Sequence, residues 1–176
     1  MIVTSFFEEA DDTRILSIYP NSRGFGYVIF EGPQKPLDWG TSSIRKLDSS
    51  LILRRIIPAI AYYEPEVLIT KKYVKNDKRK SKLALKTIKI VKQAGKSRKI
   101  QVMTYDRNKV TTVFEQLGAA TKHERAELIA TYLTVFDYYK PPKRKPWMSE
   151  DSRMVIFDSI ALALSFYFLE TYTSFR

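Results

Sequence analysis

The sequence runs to 176 residues and 20.5 kDa, the length of one domain, and 44% of it is hydrophobic and 13% aromatic, enough apolar material for a core and against wholesale disorder. Lys and Arg number 30 against 19 Asp and Glu, a net charge of +11, which favours polyanions: nucleic acid first, an acidic membrane surface second. There is no cysteine and a single histidine, His123, which excludes disulfides, thiolate catalysis, cysteine metal sites and two-histidine mechanisms.

Arg14 to Tyr19 is short, apolar and followed by Pro20-Asn21, which predicts a first strand and a turn. Gly24 to Phe30 is β-branched and aromatic, a second strand in a hairpin with the first. Leu37 to Ile44 is a weaker third strand. A helix follows over Ser50 to Tyr63, with Leu53, Ile56, Ile57 and Ile60 at helical spacing and Ser49 or Ser50 as N-cap; Pro58 should kink or shorten it. Val67 to Thr70 reads as a fourth strand. Lys80 to Ala94 fits a second helix, with Ala84, Leu85, Ile88 and Val91 on its inner side and Gly95 ending it as a C′ residue.

Ile100 to Thr104 is a fifth strand and Asp106 to Phe114 a short helix. Thr121, with Glu124 three residues later, forms a capping box that opens another helix, lined inside by Leu128, Tyr132, Leu133 and Phe136. Lys140 to Pro146 holds three prolines and must be an exposed loop. Ser149 is expected to cap a terminal helix to about Tyr172. That stretch contains Asp158, Ser165 and Glu170, and reads as a buried helix rather than a membrane span. The N-terminus turns acidic at once and is no signal peptide, so a cytoplasmic protein without membrane contact is expected. Three consecutive strands and then alternating strands and helices predict a single α/β domain over 1–176, a mixed five-stranded sheet with its first three strands antiparallel and helices packed on it.

The positive charge is concentrated. Residues 71–100 hold 13 Lys or Arg and one Asp, while the rest of the chain is close to neutral. Lys82, Lys86 and Lys89 recur at helical spacing as one basic stripe, with Lys71, Lys72, Lys75, Lys78, Arg79, Lys80, Arg98 and Lys99 nearby. The loop carrying Lys143, Arg144 and Lys145, beside Trp147, offers a second contact and a stacking surface. A charge run is often only a solvated face, but its isolation here makes it a candidate nucleic-acid site. Lysines are point charges and give affinity without sequence choice. The bland readings hold elsewhere: Gly24-Phe25-Gly26 is a kinked strand rather than a phosphate loop, His123 an exposed structural residue, and Tyr62-Tyr63 and Tyr138-Tyr139 rim packing.

Several stretches together resemble the RuvC-type Holliday junction resolvases of the RNase H-like superfamily. Arg14 to Ile29 resembles their opening strand pair, Glu64 to Ile69 their fourth strand, Val102 to Leu133 the strand and helices that follow, and Phe157-Asp158-Ser159-Ile160-Ala161-Leu162-Ala163 their terminal-helix motif. The resemblance implies an RNase H-like fold, DNA as partner, and a two-metal mechanism in which four carboxylates hold two Mg²⁺. Carried over position by position, the first-strand acid falls on Tyr19. The fourth-strand acid falls on Thr70, or on Lys71 with a one-residue slip. The two terminal-helix ligands fall on Val155 and Asp158.

One carboxylate of four remains, and it cannot offset the dehydration of two hard cations. The expectation is therefore a chain that binds branched or duplex DNA without cutting it, holds no metal or other cofactor, and leaves Asp158 hydrogen-bonded to Tyr19 or Thr70. Two alternatives stand beside it. One is a Mg²⁺-dependent junction endonuclease with atypical ligands, rebuilt from acids such as Glu31, Asp106 or Asp151. The other is a scaffold whose lysines serve only solubility. The resemblance leaves monomer and homodimer both open.

Overall fold

The computed structural model describes Ser5, Phe7, Glu8 and residues 10–173. Five strands form one mixed sheet: β1 (Arg14–Asn21), β2 (Gly24–Glu31), β3 (Pro36–Ser43), β4 (Val67–Lys71) and β5 (Gln101–Tyr105). Their order across the sheet is β3-β2-β1-β4-β5. β1, β2 and β3 are antiparallel neighbours, while β4 runs parallel to β1 and β5 parallel to β4. The C-terminal ends of β1, β3, β4 and β5 therefore all lie at one end of the sheet.

The helices are α1 (Ser49–Tyr63), α2 (Lys82–Arg98), α3 (Arg107–Gln116), α4 (Lys122–Tyr132) and α5 (Met154–Thr173), with a 3₁₀ turn over Thr134–Tyr139. Strand alternation divides the core in two. Ile15, Val28, Phe30, Val67 and Ile69 face α3, α4 and α5; Leu16, Ile18, Ile29 and Leu68 face α1 and α2. α5 is long and apolar enough to cross a membrane, but 78% of its apolar window is buried inside this domain. Its Phe157, Leu164 and Phe168 are core residues. Tyr167 pins its far end: the hydroxyl donates to the Thr13 carbonyl at 2.6 Å and accepts from the Gly32 amide at 3.1 Å.

Several boundaries depart from the sequence expectation for local reasons. β1 continues through Pro20-Asn21, and the hairpin turn is Ser22-Arg23. β4 pairs with β1 only as far as Ile18 opposite Thr70, so the N–H that Pro20 lacks costs no bond on that side. α1 is capped by Asp48, not by Ser49 or Ser50, and runs through Pro58. Pro58 and Arg54 are both exposed, so the carbonyl freed four residues back meets water.

Gly95 is no helix end. It is buried inside α2, which is capped by Ser81 and stops at Lys99 in the left-handed conformation (φ 56°). A Cβ on Gly95 would lie 2.2 Å from Val102 Cγ2, so the glycine is there for helix–sheet contact. Leu85 is 44% exposed rather than inward, and Leu83, Thr87 and Ile90 are buried beside Ala84, Ile88 and Val91. In α4 the inner positions are Ala126, Ile129 and Ala130, with Leu128 and Tyr132 only half-buried. The capping box is present as expected, Thr121 Oγ1 accepting from the Glu124 amide while Glu124 accepts from the Thr121 amide. α5 begins at Met154 rather than near Ser149, because the preceding residues are held in an Asp151–Arg153 turn.

Candidate nucleic-acid interface

Tyr19 and Lys71 stand side by side where β1 and β4 end. The pairing of Ile18 with Thr70 makes the next residues lateral neighbours. Alternation turns Thr70 toward α1 and α2 with Leu68, and turns Lys71 toward α5 with Val67 and Ile69. Lys71 Nζ lies 4.5 Å from the centre of the Tyr19 ring and 4.8 Å from that of Tyr73, so the ammonium is held between two aromatic faces. Of the two fourth-strand candidates, Lys71 faces Asp158 and Thr70 does not.

Asp158 sits one turn into α5, its side chain 12% exposed. The expected bond to Tyr19 or Thr70 is not made; Asp158 pairs instead with Lys122, whose Nζ is 2.9 Å from Oδ2. Lys122, the first residue of α4, also pairs with Glu150. Arg125 follows three residues later on the same side of α4 and donates to Thr111 Oγ1 at 3.4 Å. Val155, one turn before Asp158, is buried where α5 presses on the sheet: a Cβ on Gly26 would lie 2.4 Å from the Val155 carbonyl oxygen. Helix and strand touch through backbone, and only glycine permits it.

The electrostatics follow from this crowding. Burial pushes the Asp158 carboxyl upward, and the neighbouring Lys122 ammonium opposes that. Burial lowers Lys71 to about 8, with Asp158 pulling the other way. Arg125 is also lowered by burial, against the pull of Asp158 and Tyr19. Lys122 is raised: its burial, which acts to lower it, is outweighed by Asp158 and Glu150 together. Tyr19 is pushed far up by burial and by the Asp158 charge, so its phenol stays protonated.

The donor set does not fit a pair of divalent ions. Among the described residues no three His, Asp or Glu side chains are gathered so as to hold one. The acids named from sequence as candidates to rebuild such a site are committed elsewhere. Glu31 pairs with Arg14 and Lys35. Asp106 caps α3 through the Lys109 amide. Asp151 is gripped by Arg153 through both carboxylate oxygens. A lysine ammonium already lies against the remaining carboxylate, Asp158.

The basic segment begins at this pocket and leaves it. Lys72, Lys75, Lys78, Arg79 and Lys80 are exposed on the loop after β4, at the same end of the sheet. Lys82 and Lys89 are exposed on α2, which packs on the face away from Asp158. Lys86 is half-buried and donates to the Leu47 carbonyl at 2.9 Å, tying α2 to the start of α1. Arg98 and Lys99 are exposed at the far end of α2. Lys143, Arg144 and Lys145 are exposed on the proline loop, Lys145 Nζ lying 5.4 Å from the Trp147 ring, and Trp147 is 78% exposed. His123 is half-buried rather than exposed, with Nε2 at 3.3 Å from Glu127 Oε1.

Sequence reasoning missed Lys122 and Arg125 as pocket residues. The available signal was their spacing, three apart, on the flank of the apolar Ala126–Ile129 face.

No protein-family model and no curated protein matches the sequence. Solved structures do match in fold. Thermus thermophilus RuvC superposes with a TM-score of 0.68 at 16% identity, over 91% of this chain and 96% of that one. The yeast mitochondrial Holliday junction resolvase gives 0.63 at 11% identity, over 99% and 89%. Fowlpox virus resolvase, solved with its substrate Holliday junction DNA, gives 0.52 at 17% identity, over 87% and 97%. The chain has the RNase H-like fold of these resolvases, as the sequence resemblance implied.

Proposed function

We propose that this chain binds branched or duplex DNA and leaves it uncut. The observation that carries the reading is the content of the pocket at the ends of β1 and β4. Tyr19 and Lys71 stand where the resemblance asks for acids, and the one remaining carboxylate, Asp158, is paired with Lys122. Such a pocket attracts phosphate and repels Mg²⁺. The matched structures include resolvases solved with Holliday junction DNA, which supports DNA as the partner. The exposed lysines of the loop after β4 and of α2 extend the cationic surface beyond the pocket. If six phosphates are contacted, log K against log salt will have a slope of about −5.

The test is a labelled four-way junction and a matched linear duplex, incubated with the full chain in EDTA, Mg²⁺ and Mn²⁺. The expected result is a salt-sensitive complex in all three conditions and intact strands on a denaturing gel. Strand scission that disappears in Asp158→Ala would establish the endonuclease alternative. Unchanged affinity and an unchanged salt slope after Lys82, Lys86 and Lys89 are all replaced by Glu would favour the scaffold.

A further inference from the structure

We infer that the cluster of Lys71, Lys122 and Arg125 around Asp158 is a metal-free phosphodiester site, in which side-chain cations contact a backbone phosphate directly. The inference rests on the DNA-binding reading and assigns it a specific site, separate from the exposed lysines.

Two cations of the cluster, Lys71 and Arg125, form no ion pair among the described residues although both feel the charge of Asp158. Lys71 is mostly buried, yet no carboxylate lies within 4.0 Å of its ammonium among the described residues; its neighbours are the rings of Tyr19 and Tyr73. Arg125 is half-buried, and its one hydrogen bond is the 3.4 Å contact with Thr111, again with no carboxylate in reach among the described residues. Desolvating a cation is costly unless an anion or several acceptors compensate. Both groups accordingly have pKa values lowered by burial. A chain can remove such a cost by substituting an apolar residue. Two such cations facing the same carboxylate instead mark a place where an anion completes the balance.

The other charges show which anion fits. Lys122 pairs with both Asp158 and Glu150 and serves as the fixed wall of the cluster; with Lys71 and Arg125 counted, three cations stand against two carboxylates, an excess of one positive charge that a single anion balances. Asp77 and Glu150 act on Lys71 in the same direction as Asp158 but rank below it, and the Asp77 carboxylate accepts the Arg79 amide. Lys71 and Arg125, the two cations that form no ion pair among the described residues, lie at the sheet end where the basic loop 72–81 departs, so a phosphate held there belongs to a strand that also passes those lysines. Arg supplies paired N–H donors and Lys a point charge, a combination suited to phosphate oxygens. A phosphodiester carries one negative charge and exposes two free oxygens, one for each cation.

The experiment is lysine footprinting of the full chain with an N-hydroxysuccinimidyl acetate, in EDTA, read by peptide mass spectrometry. It is run without ligand, with saturating four-way junction, and with millimolar inorganic phosphate, while junction binding is followed by fluorescence anisotropy. The expected result is that junction DNA slows acetylation of Lys71 about tenfold, and that Lys71→Met and Arg125→Met each weaken junction binding about five- to tenfold in EDTA. The footprint uses the unaltered chain, so it stands even if a variant folds poorly. Tight junction binding with Lys71 as reactive as in the free protein overturns this inference and leaves the DNA-binding reading intact. So does an affinity that appears only with Mg²⁺. Absence of any junction binding overturns both, and protection by inorganic phosphate in that case would mark a site for the free anion instead.

Discussion

Lys122 Nζ lies 2.9 Å from Asp158 Oδ2, a lysine on α4 meeting the one acid that the terminal helix offers the pocket. The pair does locally what an ion would do: it balances a carboxylate that burial would otherwise drive toward its neutral form. Removing the lysine therefore leaves an unbalanced acid. Lys122→Ala is expected to destabilise the fold by about 1–2 kcal/mol in urea denaturation, less than for a fully buried pair because the lysine remains in contact with water. Asp158→Asn on its own should cost less, because Lys122 keeps Glu150. A double-mutant cycle of the two that returned no coupling would show the contact to be energetically idle.

Lys71 predicts a rise of stability with pH in the alkaline range, the same sense as recovery from acid denaturation. Burial lowers its pKa to about 8 in the folded chain, below the ordinary lysine value of 10.5. Between those values the unfolded chain binds the extra proton and the folded chain does not, so stability rises with pH across that window. Below about 8 the ammonium is charged in both states and its desolvation cost is fully present. Lys71→Met should then be more stable than the parent by about 1–2 kcal/mol at pH 7, discounted for partial exposure, with the advantage shrinking toward pH 10.5. Thermal melts of both proteins at pH 7 and pH 10 read this directly. A parent that is relatively more stable at pH 7 would refute it.

Gly26 is the contact on which the α5 position depends. A methyl there meets the Val155 carbonyl oxygen at 2.4 Å and Ser159 Oγ at 2.8 Å, and the first of these is backbone that cannot swing aside. Gly26→Ala is expected to cost about 2–4 kcal/mol, since α5 must lift off the sheet to make room. Gly118→Ala is the control for glycine substitution as such: nothing lies near its Cβ, although its φ of 84° adds backbone strain. Chemical denaturation of the two variants should rank Gly26→Ala as the more damaging.

Restoring acids to the pocket should create metal affinity. Tyr19→Asp with Lys71→Glu places two carboxylates on neighbouring strands facing Asp158 and removes one positive charge. Mn²⁺ binding, measured by electron paramagnetic resonance, should then appear in the millimolar range or tighter, against none in the parent. If the parent itself takes up Mn²⁺ stoichiometrically, the lysine-filled description of the pocket is wrong.

The sheet was legible because its strands alternate sharply or are bounded by Gly and Pro, and all five were anticipated to within about two residues. The hairpin turn was misplaced because Pro20 reads as a breaker, and only the premature end of the β1–β4 ladder shows why it is tolerated. Gly95 looked like a helix end for the same reason: a cap and a close-packing glycine are identical in sequence, and Val102 from the next strand decides between them. The pocket was half legible. Tyr19, Val155 and Asp158 were located by resemblance, and the ambiguity between Thr70 and Lys71 needed strand register to resolve. Lys122 and Arg125 showed only a weak signal, their spacing on the flank of an apolar helix face, since that helix is brought against Asp158 by tertiary packing.

One feature of the topology reaches beyond the lysines. α1, α2 and α3 each follow a strand that ends at the pocket side of the sheet, and the first residue of α4 touches Asp158 near the start of α5. Five helices thus direct the positive poles of their peptide dipoles toward one end of the molecule. That part of the field is made of main chain. Acetylating every lysine would weaken the attraction for a polyanion at this end without reversing the contribution of the backbone.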